Sequence, residues 1–439
     1  MPFKIRSVRY NFMMNLILTG STFLVPLVTF PLVSRALLPD TYGLCSWATS
    51  VASWASLIAM LGVNKYGVRE IAKVREDQEV LRKTTFEILS VVLISTVIVC
   101  VVYVASLFFV DKFTANIQLM LINGCLIICE TLGCVWFFSG IEQYQYIAIR
   151  GVAVKAACLV GIFFFVKKPS DYLLYAALLT AATCIADLVN FAYMLHILQV
   201  RSILRTSSLI LFLRSLDLKR HLRPIFTMFF IAMAMSVYTN LDTIMLGFLS
   251  TDTQVGYYTA AIKIKTVLQG AAGALTGVLL PRISNMLSAD YIEESIALIK
   301  KSTLVVLVGI IPICVFISLA SSALLSFYAG NSFCGAGPTL SIVSLAVIPI
   351  ALSSIFCDAV MLPLGYESYC SIIYAIAALV DFVGNILLIP ICGSVGAALM
   401  TSFVELMIAL TEFCIIKRFI WSASSASNMR ERRNSAKLS

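Results

Sequence analysis

Long apolar runs recur along the whole chain and restrict what it can fold into. A helix that crosses the roughly 30 Å hydrocarbon core of a bilayer needs about 20 consecutive, mainly apolar residues. Runs of that length can be placed at twelve positions: 11–34, 42–62, 85–109, 117–138, 147–166, 172–196, 224–248, 256–280, 302–327, 338–362, 369–389 and 395–419. With 60% hydrophobic and 13% charged residues and a mean hydropathy of +0.95, the composition excludes soluble domains. The sequence predicts an all-α integral membrane protein with twelve transmembrane helices.

The basic residues give the orientation of these spans. With both termini in the cytoplasm, 25 of the 32 Lys and Arg residues fall in inner segments, 4 in outer loops and 3 within spans. Cytoplasmic loops of membrane proteins carry this excess of Lys and Arg. We therefore expect cytoplasmic termini, and we interpret the net charge of +9 as topological and not as a nucleic-acid-binding surface.

The chain also divides into two groups of six spans. We predict an N-terminal six-helix bundle at 1–198, a basic cytoplasmic linker at 199–223, a C-terminal six-helix bundle at 224–419 and a basic cytoplasmic tail at 420–439. At an offset of 213 residues, Gly43 aligns with Gly256 and Arg69 with Arg282. Six spans of the same orientation in each half indicate a parallel internal repeat, with two bundles around a central cavity.

Charged residues within the spans are the candidates for function, because an ionised side chain at the bilayer centre costs roughly 2.5 to 3.5 kcal/mol. Asp242 and Lys263 lie equally far from the polar turn between their spans, so they can form an ion pair at one depth. Lys265 lies on another face of the same helix. Glu130 and Lys155 are likewise equidistant from their turn. A structural bridge and a functional role stay open for both pairs.

Two further carboxylates and two lysines are candidates for roles in transport. Asp381 and Glu405 are equidistant from the turn near Gly393, and two close carboxylates raise each other's proton affinity, which would suit proton coupling. The alternative is that the two carboxylates face different neighbours. Lys155 and Lys263 would form steps for an anion if both face the cavity. Arg150 lies near the inner boundary, where it either snorkels to the interface or meets phosphate.

No catalytic or cofactor-binding signature is present in the sequence. His196 and His221 lie at the inner edge of a span and in the linker, so no metal site within the membrane is expected. There is no phosphate-binding loop of the glycine-lysine type. Cys334 and Cys392 fall in outer loops, where a disulfide between them is one alternative. In the first span, Pro26 and Pro31 predict a bent or broken helix.

Three motifs resemble a known family. They are "PLVTFPLVSRALLPDTYGLCSWATSVASW", "GVNKYGVREIAKVREDQEV" and "LDTIMLGFLSTDTQVGYYTAAIKI" followed by "LLPRIS". The pattern is similar to that of the bacterial O-antigen and polysaccharide lipid-linked oligosaccharide flippases. This polysaccharide transporter family belongs to the multidrug, oligosaccharidyl-lipid and polysaccharide exporter superfamily. Where that family usually has glycine and proline before the acidic turn, this chain has "LLPD", which changes only a loop.

The resemblance implies a transporter, not an enzyme. It implies that undecaprenyl-pyrophosphate-linked oligosaccharide repeat units pass from the cytoplasmic to the periplasmic leaflet of the bacterial inner membrane by alternating access. Arg35, Arg150, Lys155 and Lys263 are then the candidates for binding the anionic pyrophosphate and sugars in the cavity. Glu130, Asp242, Asp381 and Glu405 are the ion-pair or coupling candidates, with H⁺ or Na⁺ as the ion. Membrane lipids, a polysaccharide polymerase and a chain-length regulator are the other expected partners.

Two alternatives remain at the level of the sequence. A drug or organic-cation antiporter of the same superfamily would need an acidic cavity, whereas three lysines lie within the spans. A membrane polysaccharide polymerase or lipid-sugar glycosyltransferase would be expected to carry a large outer loop. No predicted outer loop of this chain exceeds about a dozen residues, so the flippase is favoured.

Overall fold

Helices form all the regular structure in the described part of the chain. The computed structural model describes residues 8–200, 216–288 and 291–438. Its helices are α1 Val8–Met60, α2 Val63–Val74, α3 Gln78–Phe109, α4 Asp111–Ala115, α5 Ile117–Gly133, α6 Val135–Gly140, α7 Tyr144–Phe165, α8 Tyr172–Ile197, α9 Lys219–Leu249, α10 Asp252–Ser288, α11 Ile292–Leu319, α12 Ser321–Ala329, α13 Gly337–Ser353, α14 Glu367–Cys392 and α15 Ser394–Leu438. Single 3₁₀ segments span Pro169–Asp171 and Asn331–Ala336, and a π-helical segment, Ser354–Met361, continues α13. The predicted all-α class is confirmed for these residues.

The first helix consists of two segments joined at a break. Leu38 has φ 61° and ψ 165°, which is not a helical conformation. It precedes Pro39, and a proline ring disfavours the helical conformation of the residue before it. The helix is not broken at Pro26 or Pro31, where a bent or broken helix was expected. The break therefore separates the first two predicted spans at the "LLPD" turn.

Close helix packing in the first half depends on two glycines. The left-handed backbone of Cys134, with φ 45°, separates α5 from α6 and lets α6 lie against α2. A Cβ added to Gly67 would lie 2.6 Å from the Trp136 ring, and one added to Gly140 would lie 2.6 Å from Ile71. Because neither position has room for a side chain, the two backbones approach each other more closely than larger residues would allow.

Nine helices of the described residues are long and apolar enough to cross a membrane. The first of them, Arg9–Met60, contains the break at Leu38 and holds two predicted spans. The other eight correspond to predicted spans three to six and nine to twelve. The seventh and eighth predicted spans lie in α9 and α10. The chain is therefore a multi-pass membrane protein.

The chain forms two compact units, Met1–Ile244 and Met245–Ser439, here called unit 1 and unit 2. The division lies within α9, later than the predicted linker at 199–223, of which residues 201–215 lie outside the described residues. Its position has a physical reason, because Glu87 of α3 bonds the Asp217 backbone N–H, the Arg220 guanidinium and His221. These contacts attach the beginning of α9 to unit 1. The predicted tail at 420–439 continues α15 as far as Leu438.

Candidate functional site

A cavity in unit 1 carries two of the acidic residues that lie within membrane-length helices. Its volume is about 350 Å³. It is lined by Met60, Asn64, Val68, Glu130, Val135, Trp136, Ser139 and Asp187. Glu130 belongs to α5 and Asp187 to α8, and these two helices pack along each other. The cavity is therefore apolar with an acidic side. Asp187 was given no role from the sequence.

The backbone around Gly133 brings the acidic side together. A Cβ on Gly133 would lie 2.5 Å from Asp187 Oδ1, so only glycine fits between this carboxylate and the end of α5. The side-chain amide of Asn190 donates to the Gly133 carbonyl over 2.7 Å and satisfies it where the helix ends. Asp187 is thus held against the last turn of α5, near the break at Cys134.

Arg150 is the basic partner of this acidic side. Its Nη1 donates to the Ala186 carbonyl over 2.7 Å and lies 3.9 Å from Asp187 Oδ1. The side chains of Arg150 and Asp187 are only 15% and 10% exposed. A shielded pair of this kind is screened less than a surface salt bridge. Arg150 therefore contacts a carboxylate, and it was proposed from the sequence as a residue that meets the anionic substrate.

Lys155, one helical turn further along α7, has a different environment. Its Nζ donates to the Ser21 hydroxyl of α1 over 3.0 Å. Within the described residues, no carboxylate lies at ion-pair distance from Lys155. The structure therefore joins Lys155 to Ser21 and not to Glu130, with which its position along the chain would allow a pair. A positive charge inside a membrane-length helix is left with a hydroxyl as its bonded partner.

Arg35 lies apart from this cavity, next to a second and smaller one. That cavity has a volume of about 210 Å³ and is lined by Leu32, Arg35, Ala36, Ile162, Phe163, Val166 and Lys167. It lies between α1 and the C-terminal end of α7. Arg35 is exposed, and Lys167 gives the same rim a second positive charge. The site can attract an anion, but it is distinct from the cavity at Glu130.

In unit 2 the structure brings Lys265 and Glu405 together. Lys265 Nζ lies 4.0 Å from Glu405 Oε1, and both residues are buried. No partner for Lys265 was predicted from the sequence. Both residues lie between three and four turns from the first residue of their helices, so the depth argument used for the other pairs could have identified them. Asp381 accepts a hydrogen bond of 3.2 Å from Asn385 on the next turn of α14.

The remaining predicted residues stay as candidates. Asp242 is buried in unit 1 and Lys263 is half-buried in unit 2, so their pairing stays a prediction. The pairing of Asp381 with Glu405 also stays a prediction. Cys334 and Cys392 are both exposed free thiols, and the disulfide considered for them is not formed.

Comparison with known proteins gives consistent matches along the chain. Residues 8–287 match the family described as "Polysaccharide biosynthesis protein". A protein assigned to O-antigen transport in Escherichia coli (strain K12) is 24% identical over 402 residues, which cover 92% of this chain and 95% of that protein. A protein of Shigella dysenteriae with the same assignment is 24% identical over 405 residues, covering 92% and 98%.

Solved structures show the same fold. The lipid II flippase MurJ in an inward closed conformation superposes with a TM-score of 0.71 at 15% identity, covering 95% of this chain and 91% of that one. An inward-facing multidrug resistance MATE family transporter of the MOP superfamily gives a TM-score of 0.63 at 14% identity, covering 92% and 96%. The named relatives are transport proteins. Because the family match covers well over half of the residues, this chain belongs to the polysaccharide biosynthesis protein family.

Proposed function

We propose that the protein is a flippase that moves undecaprenyl-pyrophosphate-linked oligosaccharide repeat units, of O-antigen or a related surface polysaccharide, from the cytoplasmic to the periplasmic leaflet. The family membership and the relatives assigned to O-antigen transport support this substrate class. The fold shared with a lipid II flippase supports the same type of cargo, a sugar carried on a lipid. The relatives are transporters, so no enzymatic step is included in the proposal.

The environment of Lys155 is the observation that carries this proposal. A pyrophosphate needs a positive charge along its path, and that charge has to be available within the membrane. The Lys155 ammonium group bonds a serine hydroxyl, which a phosphate oxygen can replace without separating an existing ion pair. Arg150 already lies beside Asp187, so it would bind an anion less strongly. Lys263 and Arg35 are the further candidates along the path.

The membrane arrangement follows the same proposal. Counting α1 as two segments and adding α9 and α10 to the other eight membrane-length helices gives twelve spans. We infer two bundles of six around a central cavity in the bacterial inner membrane, with both termini cytoplasmic. The polyprenyl tail would remain in lipid while the pyrophosphate and sugars cross through the protein. A polysaccharide polymerase and a chain-length regulator would act on the delivered units.

The test is complementation of a strain that lacks the gene. Without the protein, the lipid-linked repeat unit should accumulate on the inner leaflet, and the wild-type gene should clear it and restore the surface polymer. Lys155→Ala removes a charge-assisted hydrogen bond worth roughly 1.5 to 3 kcal/mol, so we expect transport to fall about 10- to 150-fold. Lys155→Arg keeps the charge and should retain more activity. Lys301→Ala changes an exposed lysine of α11 and serves as the control.

The outcomes separate the proposals. If the repeat unit reaches the outer leaflet unpolymerised in the deletion strain, the protein acts after flipping and the flippase function is wrong. If Lys155→Ala restores the polymer as well as Lys301→Ala does, the anion does not use Lys155. All protein levels are measured in the membrane fraction, so that loss of the protein is not counted as loss of transport.

The cavity in unit 1 favours a second candidate function, export of organic cations. Glu130 and Asp187 both line it, and a MATE family transporter shares the fold. For this function, Asp187→Asn should sensitise the strain to cationic dyes while leaving the surface polymer intact. If the protein is a flippase instead, Asp187→Asn should reduce the surface polymer and leave the response to cationic dyes unchanged.

A further inference from the structure

Unit 2 contains a fully buried carboxyl group that forms no ion pair within the described residues. Glu412 lies on α15 and is 0% exposed. The Ser353 hydroxyl and the Cys357 thiol approach its carboxylate oxygens, but within the described residues neither contact has the geometry of a full hydrogen bond. An ionised carboxylate in such a place is far less favourable than a neutral carboxyl group, because it loses its hydration and gains neither a cation nor a well-aligned donor in exchange. The position therefore favours a bound proton on Glu412.

The groups around Glu412 are acids, thiols and hydroxyls. Its carboxyl group lies beside the Ser353 hydroxyl and the Cys357 thiol. Ser353 Oγ is 3.4 Å from the Tyr374 hydroxyl, and Cys357 Sγ is 3.0 Å from Cys370 Sγ. The titratable groups that face it are Cys357, Asp358, Cys370, Tyr374 and Glu405. Among the described ion pairs, the one that includes a member of this set joins Lys265 to Glu405.

A π-helical segment connects this buried group to the surface. Ser354–Met361 has π-helical hydrogen bonding, a conformation that occurs often at functional sites. Cys357 and Asp358 are consecutive in this segment, with the cysteine buried beside Glu412 and the aspartate exposed. The Cys357 thiol contacts the Glu412 carboxyl group, and the charge of Asp358 interacts with it through space, although Asp358 itself reaches the surface. An exposed acid next to a buried acid gives a proton a way in from the surface.

On its other side, Glu412 is coupled to the ion pair of unit 2. Glu405 lies seven residues earlier on α15, which places the two glutamates on one face of the helix, two turns apart. A negative charge on Glu412 would therefore repel the Glu405 carboxylate. This repulsion would weaken the ion pair that Glu405 forms with Lys265. A neutral Glu412 leaves the pair of Lys265 and Glu405 undisturbed.

We propose that Glu412 is a proton-binding site of unit 2, loaded from the surface through Asp358, and that its occupancy controls the ion pair between Lys265 and Glu405. In the loading step one proton leaves the Asp358 carboxyl group and joins the Glu412 carboxylate, and no other bond changes. Proton binding at Glu412 does not depend on the transported substrate. The assignment of this proton as the coupling ion does rest on the proposed flippase function.

Infrared spectroscopy of the full-length protein in liposomes tests the site without any transport. A protonated carboxyl group has a carbonyl band that a carboxylate lacks. We expect this band at neutral pH in the wild type and in the control Glu294→Gln, which changes an exposed glutamate of α11, and we expect a smaller band in Glu412→Gln. An equal band in Glu412→Gln and the wild type would overturn the proposal.

Thermal stability checks that the variant folds and also tests the sign of the argument. Glutamine reproduces the shape of a neutral carboxyl group, so Glu412→Gln should melt at the same temperature as the wild type or at a higher one. A clearly lower melting temperature would mean that the wild-type carboxylate is ionised and stabilised, which contradicts the proposal. Addition of NaCl should leave the band unchanged, and its loss would assign the site to Na⁺ instead.

Asp358→Asn tests the route of the proton. This variant should keep the Glu412 band but slow its shift on transfer to heavy water, because the exposed acid no longer delivers the exchanging proton. An unchanged exchange rate would overturn the route.

In reconstituted flipping of a lipid-linked oligosaccharide, Glu412→Gln should flatten the dependence of the flipping rate on pH. If the wild type flips nothing, the proposed function fails while the infrared band still decides the site, and a wild-type pH profile in Glu412→Gln would reject coupling.

Discussion

The buried carboxylate of Glu87 offers a quantitative test of how the beginning of α9 is held in unit 1. Glu87 is 0% exposed, and it accepts a hydrogen bond of 2.9 Å from the Asp217 backbone N–H and one from the Arg220 guanidinium. His221 Nε2 lies 3.0 Å away. The same Nε2 also lies 3.0 Å from Arg220 Nε, and Nδ1 lies 2.6 Å from the Tyr66 hydroxyl. One carboxylate thus contacts three residues of a single short segment, 217–221, at the beginning of α9.

The perturbation is Glu87→Ala. Breaking a buried charge network by removal of one partner costs roughly 3 to 5 kcal/mol. The upper part of this range is not expected from Arg220 alone, because its side chain is 48% exposed and water can solvate it after the substitution. The buried His221 has no such compensation. We therefore expect the free energy of unfolding to fall by about 3 to 4 kcal/mol in Glu87→Ala. Glu87→Gln keeps one acceptor oxygen, so its stability should lie between those of Glu87→Ala and the wild type.

Thermal unfolding of the purified protein measures this loss. Cys134 is buried in unit 1, so its alkylation, followed site by site in mass spectrometry, reports the opening of that unit. For a unit of this size a loss of 3 to 4 kcal/mol lowers the melting temperature by roughly 6 to 16 °C. Glu79→Ala, an exposed glutamate in the first turn of the same helix, is the matched control.

Two results would refute this reasoning. The first is a Glu87→Ala protein whose Cys134 is protected up to the same temperature as in the control. The second comes from a double-mutant cycle with Arg220→Ala, because two residues in direct contact should show a coupling of roughly 0.5 to 3 kcal/mol. Strictly additive effects of the two substitutions would mean that the carboxylate does not hold the guanidinium in the folded protein.

Two further predictions concern packing and orientation. Gly67→Ala should destabilise unit 1 by about 1 to 3 kcal/mol, because the new methyl group would lie 2.6 Å from the Trp136 ring; Gly20→Ala, where nothing lies within 4 Å, should be neutral in the same alkylation assay. Cys334 and Cys392, both exposed free thiols, should react from the periplasmic side with a membrane-impermeant maleimide, and reaction only after the membrane is opened would reverse the proposed orientation.

The sequence by itself determined the class of the protein and the approximate positions of its helices. Apolar runs of membrane length depend only on local composition, because lipid offers no hydrogen bonds and each span must form its own as a helix. The break at Leu38 is also a local effect, since the ring of Pro39 restricts the residue before it. Three sequence motifs, which are also local patterns, were enough to identify the family whose model matches residues 8–287.

The pairing of buried charges, in contrast, was decided by the tertiary structure. Counting residues from a turn gives the depth of a side chain, but it does not give the rotation of the helix about its axis or the helix that lies beside it. At its depth Lys155 bonds Ser21 of α1, which is far away in sequence, and Lys265 lies beside Glu405. The burial of Glu412 is decided in the same way, because α15 packs against both α13 and α14. Side-chain packing among distant segments fixes these contacts, and no local pattern in the sequence encodes it.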